Sequence, residues 1–206
     1  LIDELGETAK VALLTNPRLS PLEFLYSLAT KFGTTSPASD RLGLLEQIEQ
    51  ILYELFRKGC VPVLIIDEAH LIPHRDTFEE IRLLTNFQLD DGNLLSVIFL
   101  GQPELRQRLA HPVYEPLKQR IGLQFNIGPL NLEETAAYLK HRILCAGGTE
   151  DIFLEEAVVA LHRFSGGVPR RINQAASLAL LEAFGREQPQ IDSHIISEVV
   201  TELTGI

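Results

Sequence analysis

Apolar residues follow two rhythms along this chain, and the balance between them changes once. As far as residue 128, short unbroken aliphatic runs alternate with stretches where apolar positions recur every three or four residues; beyond it only the second rhythm remains. The runs at 10–15, 61–66 and 94–100 are too short for buried helices and read as strands of a parallel sheet covered on both faces. Leu123 to Ile127 reads as a last, short strand. Between the runs lie helices. Ser20-Pro21-Leu22-Glu23 supplies an N-cap, a proline in the first turn and a capping box, and the helix it opens runs to about Phe32 and stops at Gly33. From Asp40, the residues Leu44, Leu45, Ile48, Ile51, Leu52, Leu55 and Phe56 mark one helical face, with Arg57 and Lys58 in the last turn and Gly59 after it. A third helix is expected over 74–88, carrying Phe78, Ile81, Leu84 and Phe87, then a turn at Asp90-Asp91-Gly92-Asn93. A short helix with Leu105 and Leu109 follows Pro103.

After Gly128-Pro129 the chain is helical throughout. Asn131 caps a helix with Glu134 at its third position, running to about Ala146. A second covers 153–164, Pro169 opens a third and Asp192 caps a fourth. The expected organisation is an α/β part at 1–128 and an all-α four-helix part at 129–206. No internal repeat or low-complexity tract is visible.

Composition narrows the function classes. The 206 residues carry a net charge of −10, with a pI near 5.1. No dense run of Lys or Arg interrupts that acidity, and from residue 129 onward six Lys/Arg face eleven Asp/Glu. Such a surface weighs against nonspecific nucleic-acid binding. The two cysteines, Cys60 and Cys145, lack metal-ligand spacing, and the six histidines are scattered, so a reduced, cytosolic setting without a His metal site is expected. The apolar runs are too short to span a bilayer, and no signal peptide is apparent. The chain contains no Met and is expected to be an excised or processed segment.

The chemistry concentrates at the end of the second run. Val61 to Ile66 leads straight into Asp67 and Glu68. Parallel sheets bind ligands at the carboxyl ends of their strands, and two acids beside a buried strand are costly without work to do there. An Asp can hold Mg²⁺ through water while a Glu orients or deprotonates an attacking water; a plain solvated turn is the alternative. Gln102 follows the third run at a comparable place and could bond a phosphate oxygen and a water, or simply cap the helix at Pro103. Arg120 has the planar, permanent charge suited to phosphate, although most such arginines are only solvated. In Gly166-Gly167-Val168-Pro169-Arg170-Arg171-Ile172-Asn173, two cations sit where they oppose a helix dipole, so they need an anion: a phosphate, or a neighbouring carboxylate.

Taken together these residues resemble the AAA+ ATPases, and within them the general secretion pathway protein A (ExeA-type) family. Leu64 to His70 is similar to a Walker B motif, Gly101-Gln102-Pro103-Glu104-Leu105 to a sensor 1 region, and Gln119-Arg120-Ile121 to the place of an arginine finger. Asn16 to Phe24 is similar to the segment after the second strand, Glu134 to Leu139 to the start of the lid, and Gly167 to Asn173 to sensor 2. The resemblance implies a P-loop NTPase fold: a parallel sheet with helices on both faces, then an all-α four-helix lid. It implies Asp67 for Mg²⁺, Glu68 as catalytic base, Gln102 as phosphate sensor, Arg120 acting in a neighbour's site within an oligomer, and Arg170 on the nucleotide. It also implies ATP and Mg²⁺ as cofactors of the full-length protein, secretion-system partners, and a cytoplasmic ATPase whose inner-membrane anchor lies in segments not present here.

One departure matters. No Gly-x-x-x-x-Gly-Lys-Ser/Thr occurs, and Leu1 to Leu5 resembles the tail of the helix that follows that loop. The sheet is therefore expected to lack the P-loop strand, leaving a gap, a repaired edge or a swapped strand. The segment by itself is expected to bind ATP weakly or not at all. The alternatives are a DNA-binding AAA+ regulator of the transposition type, which would want a cationic face, and a non-hydrolysing interaction module. Asp67-Glu68-Ala69-His70 also spells the signature of DEAH-box helicases, but those need two recombinase-like domains.

Overall fold

A computed structural model describes residues 8–89, 92–149 and 151–205. The chain divides into two compact units, the first ending at Gln124 and the second beginning at Phe125. The expected helix tail at 1–5 and the Asp90-Asp91 half of the expected turn lie outside the described residues.

The first unit is built on a parallel sheet. Strand β1 (Ala9–Leu14) pairs with β2 (Val61–Ile66), and β2 with β5 (Ser96–Phe99), in the order β1-β2-β5. Five of the six residues of β2 are buried, as its unbroken aliphatic run demands of a central strand. Pro62, which has no N–H to offer, falls just before the β5 ladder begins at Val63. The core adds Phe24, Leu25 and Leu28 from α1 (Pro21–Phe32), Leu44, Ile48 and Leu52 from α2 (Arg41–Arg57), and Phe78 and Ile81 from α3 (Arg75–Leu84). Local chemistry sets the helix ends. Ser20 and Glu23 form the reciprocal capping box, and Gly33 closes α1 at φ 119° with its N–H on the carbonyls of Ala29 and Thr30.

Three expectations yield to tertiary context. Helix α3 stops at Leu84, and the chain turns into a hairpin of two-residue strands, β3 (Gln88–Leu89) and β4 (Gly92–Asn93). The run at 94–100 contributes only four residues to β5, because Leu94 and Leu95 are buried in the core ahead of the ladder. The third is a correction: 123–127 is not a strand. A strand exists through its ladder partner, and among the described residues none lies beside this segment. Leu123, Phe125 and Ile127 are accordingly 79%, 87% and 96% exposed. The segment follows α4 (Pro103–Leu109) and the one-turn helix α5 (Glu115–Lys118).

The second unit holds four helices among the described residues: α6 (Leu132–Cys145), α7 (Glu155–Ser165), α8 (Pro169–Gly185) and α9 (Ser193–Thr204). Its core is rich in small residues, with Ala157, Ala175, Ala176, Ala179 and Ala183 beside Leu161, Ile172, Ile195 and Ile196. Residues this small on a helix face let a neighbouring helix approach closely. Phe153 and Ile191 form an isolated parallel bridge. Asn131 and Glu134 form the predicted capping box of α6, and Asp192 accepts from the N–H groups of His194 and Ile195 at the start of α9.

Candidate functional site

The acids lie where the ladder of the central strand gives out. Asp67 N–H still donates to the Leu14 carbonyl at 2.8 Å, one residue beyond the end of β2. On the other side, Leu100 N–H donates to Ile66 at 2.9 Å and Ala69 N–H to Leu100 at 2.8 Å. Both neighbouring strands thus grip the backbone between 66 and 69. Within that grip Glu68 adopts a left-handed conformation, φ 51° and ψ 37°, and a short 3₁₀ turn follows at Ala69–Leu71. An L-residue bears roughly 1 kcal/mol or more of steric cost there, which the surrounding hydrogen bonds offset. Asp67 Oδ1 accepts the Glu68 N–H at 2.8 Å, which fixes the first carboxylate against the turn while both acids remain part-exposed.

Gln102 belongs to the same strand-end cluster. The loop after β5 runs alongside the His70 turn: a Cβ on Gly101 would lie 3.4 Å from the His70 backbone nitrogen, and 3.1 Å from Leu105 Cδ2. The Gln102 N–H points at His70 Nδ1, 3.4 Å away, and that same Nδ1 lies 3.4 Å from Glu68 Oε2. Gln102 stands at the N-cap of α4, but its side chain makes no capping bond and is exposed, with no hydrogen-bond partner among the described residues. In the sequence His70 is one of six scattered histidines. Nothing in its spacing predicts its position between two loops; only adjacency to Glu68 could have drawn notice.

Arg120 is exposed, and its guanidinium reaches the Thr85 carbonyl at 3.4 Å. No hydrogen bond or ion pair among the described residues joins it to Asp67, Glu68 or Gln102. In the second unit the two adjacent arginines part company. The Arg171 guanidinium stacks over the Phe164 ring, 4.8 Å from its centroid, whereas Arg170 is exposed and forms no ion pair among the described residues. The turn that presents Arg170 is held by Gly167, at φ 73°, whose carbonyl accepts the Leu130 N–H at 2.9 Å. A Cβ on Gly167 would fall 1.9 Å from the Leu130 oxygen, so only glycine fits.

Among the described residues no three His, Cys, Asp or Glu gather as a metal cage. Two adjacent carboxylates at a strand end suit Mg²⁺ all the same, since that ion keeps its waters and takes one or two carboxylates plus substrate phosphate. The phosphate cradle is a different matter, for the 206 residues contain no Walker A sequence.

An AAA domain matches residues 1–109, more than half of the chain. The chain belongs to the AAA domain family. Over its full length this AAA domain is 36% identical to general secretion pathway protein A of Aeromonas hydrophila, of which it spans 38%. Among solved structures it is similar to the Aeropyrum pernix ORC2 protein in its ADPNP–ADP complexes, with a TM-score of 0.67 and 14% identity, over 98% of this chain and 54% of that one. The Thermotoga maritima RuvB Holliday junction branch migration motor gives a TM-score of 0.54 at 16% identity, over 94% of this chain and 61% of that one. At such identities the likeness speaks for the fold, a small parallel sheet followed by a helical region. The AAA domain spans less than two thirds of each of these relatives. None of its described helices is long and apolar enough to cross a membrane.

Proposed function

We propose that this AAA domain is the ATPase module of a general (type II) secretion pathway protein, in which Mg·ATP hydrolysis drives assembly or oligomer rearrangement. One observation carries the reading: an acid pair clamped at the end of the central parallel strand, beside the Gln102 loop, in a chain alike over its whole length to general secretion pathway protein A. Asp67 would hold the hydrated metal, which neutralises charge on the transferring phosphoryl group. Glu68 would orient the attacking water and take its proton. The Gln102 amide, free of any capping role, is suited to reading the terminal phosphate. Arg170 is the cation available at its helical turn. Arg120, exposed on the first unit, would act on the site of a neighbouring copy.

The test is Glu68→Gln in the complete protein. It should retain ATP binding and lose turnover by about a hundredfold or more. Turnover surviving within a few fold sinks the role of Glu68. The 206-residue chain by itself should bind Mg·ATP weakly or not at all, since no phosphate cradle lies within it; micromolar affinity by isothermal titration contradicts this. A DNA-binding role is disfavoured by the excess of acidic residues in both halves, and steeply salt-dependent DNA binding would restore it.

A further inference from the structure

His70 occupies a position that neither the acid pair nor the phosphate-sensing loop explains alone. Its side chain is 13% exposed, against 46% for Glu68. A single ring nitrogen, Nδ1, lies 3.4 Å from the Gln102 backbone nitrogen and 3.4 Å from the Glu68 carboxylate. These two neighbours make opposite demands. The Gln102 N–H can only donate, so it needs Nδ1 bare. An ionised carboxylate can only accept, so it needs Nδ1 protonated. One nitrogen cannot meet both at once.

We propose that His70 is a positioning residue that transmits the state of the Gln102 loop to Glu68. With the loop at rest, Nδ1 accepts the Gln102 N–H, the ring proton sits on Nε2, and the Glu68 carboxylate is unheld. When the loop engages an anion and its N–H turns away, Nδ1 is released. The ring then gives its Nε2 proton to solvent and takes one at Nδ1, remaining neutral, and Nδ1–H holds Glu68 Oε2. The base is therefore oriented only when the loop is occupied. The packing supports a coupling of this kind. The Ala69–Leu100 backbone bond holds the two loops side by side, so a turn of the Gln102 N–H takes place next to the His70 ring. The catalytic consequence rests on the hydrolysis reading above; the shared nitrogen does not.

Two measurements decide it. In the nucleotide-free chain labelled with ¹⁵N-histidine, the His70 resonances, assigned by their loss in His70→Asn, should show a bare Nδ1 and a protonated Nε2 at neutral pH. A protonated Nδ1, or the averaged shifts of a free imidazole, overturns the proposal whatever the turnover. In the complete protein, His70→Asn keeps a polar group near Nδ1 and should hold kcat within about threefold of wild type. His70→Gln places its polar group near Nε2, and it and His70→Ala should lower kcat about tenfold or more with KM within about twofold. Equal loss in all three variants, or in none, also overturns it. If the wild-type complete protein hydrolyses no ATP, the hydrolysis reading falls, and the resonance measurement still decides whether His70 joins the two loops.

Discussion

Each unit presents a candidate site residue at a left-handed turn, and the two turns are made differently. In the second unit Gly167, at φ 73°, precedes Arg170 by three residues and has no room for a side chain. In the first, Glu68 is itself left-handed at φ 51°, with its carboxylate on the strained residue. Glycine stands where space forbids anything larger. At Glu68 a full side chain occupies the left-handed turn, and the hydrogen bonds on either side of it offset the unfavourable backbone. The cores differ in step. The first unit packs aromatic and branched residues around a sheet whose strands come from distant parts of the chain, and that sheet supplies the bonds that hold Glu68 in its turn. The second packs alanine-rich helices near one another in sequence, and its turn is held by the backbone bond from Leu130 together with local bonds from the Gly167 and Val168 N–H groups to Ser165.

The strongest way to break this contrast is Gly167→Ala. A methyl group at that place would collide with the Leu130 carbonyl and force the backbone bond apart, so unfolding stability should fall by about 3 kcal/mol or more. Thermal melts followed by circular dichroism would show it, and a variant melting with wild type would mean that the turn has slack. Glu68→Gly should do far less to stability. Relief of left-handed strain and the added freedom of the unfolded chain nearly cancel, leaving a change within about 1 kcal/mol. A loss as large as that of Gly167→Ala would mean that Glu68 is structural, and the contrast would go. The smallest effect concerns Glu23, in the capping box of α1, a device that α6 repeats with Asn131 and Glu134. Hydrogen bonds from the Ser20 hydroxyl and then the Ser20 N–H hold the Glu23 carboxyl below its ordinary value of 4.5. Its contribution is therefore complete above that value and is lost as pH falls through the lower folded one. On acidification below 4.5 the wild type should lose slightly more thermal stability than Glu23→Gln; parallel curves would show that the capping bond does not discriminate between the charged and neutral acid.

Much of this could be read along the chain because the forces concerned are local. Both capping boxes, the glycine stop at Gly33 and the proline start of α8 depend on partners within a few residues, and all stand where the sequence puts them. The run 61–66 could become only a buried strand, and a parallel sheet carries its polar residues at the strand ends, so the location of Asp67 and Glu68 followed as well. Other features required distant partners. The residues 123–127 have the composition of a strand but no ladder beside them among the described residues, and a strand without a ladder leaves its backbone to solvent. Which of the two adjacent arginines is uncommitted was decided by Phe164 lying under Arg171. That His70 Nδ1 lies beside both Glu68 and the Gln102 backbone N–H was decided by the pairing of β2 with β5, which brings together residues 32 positions apart. Periodicity reports how a residue meets its own helix or strand; which distant loop it touches is settled only when the sheet closes.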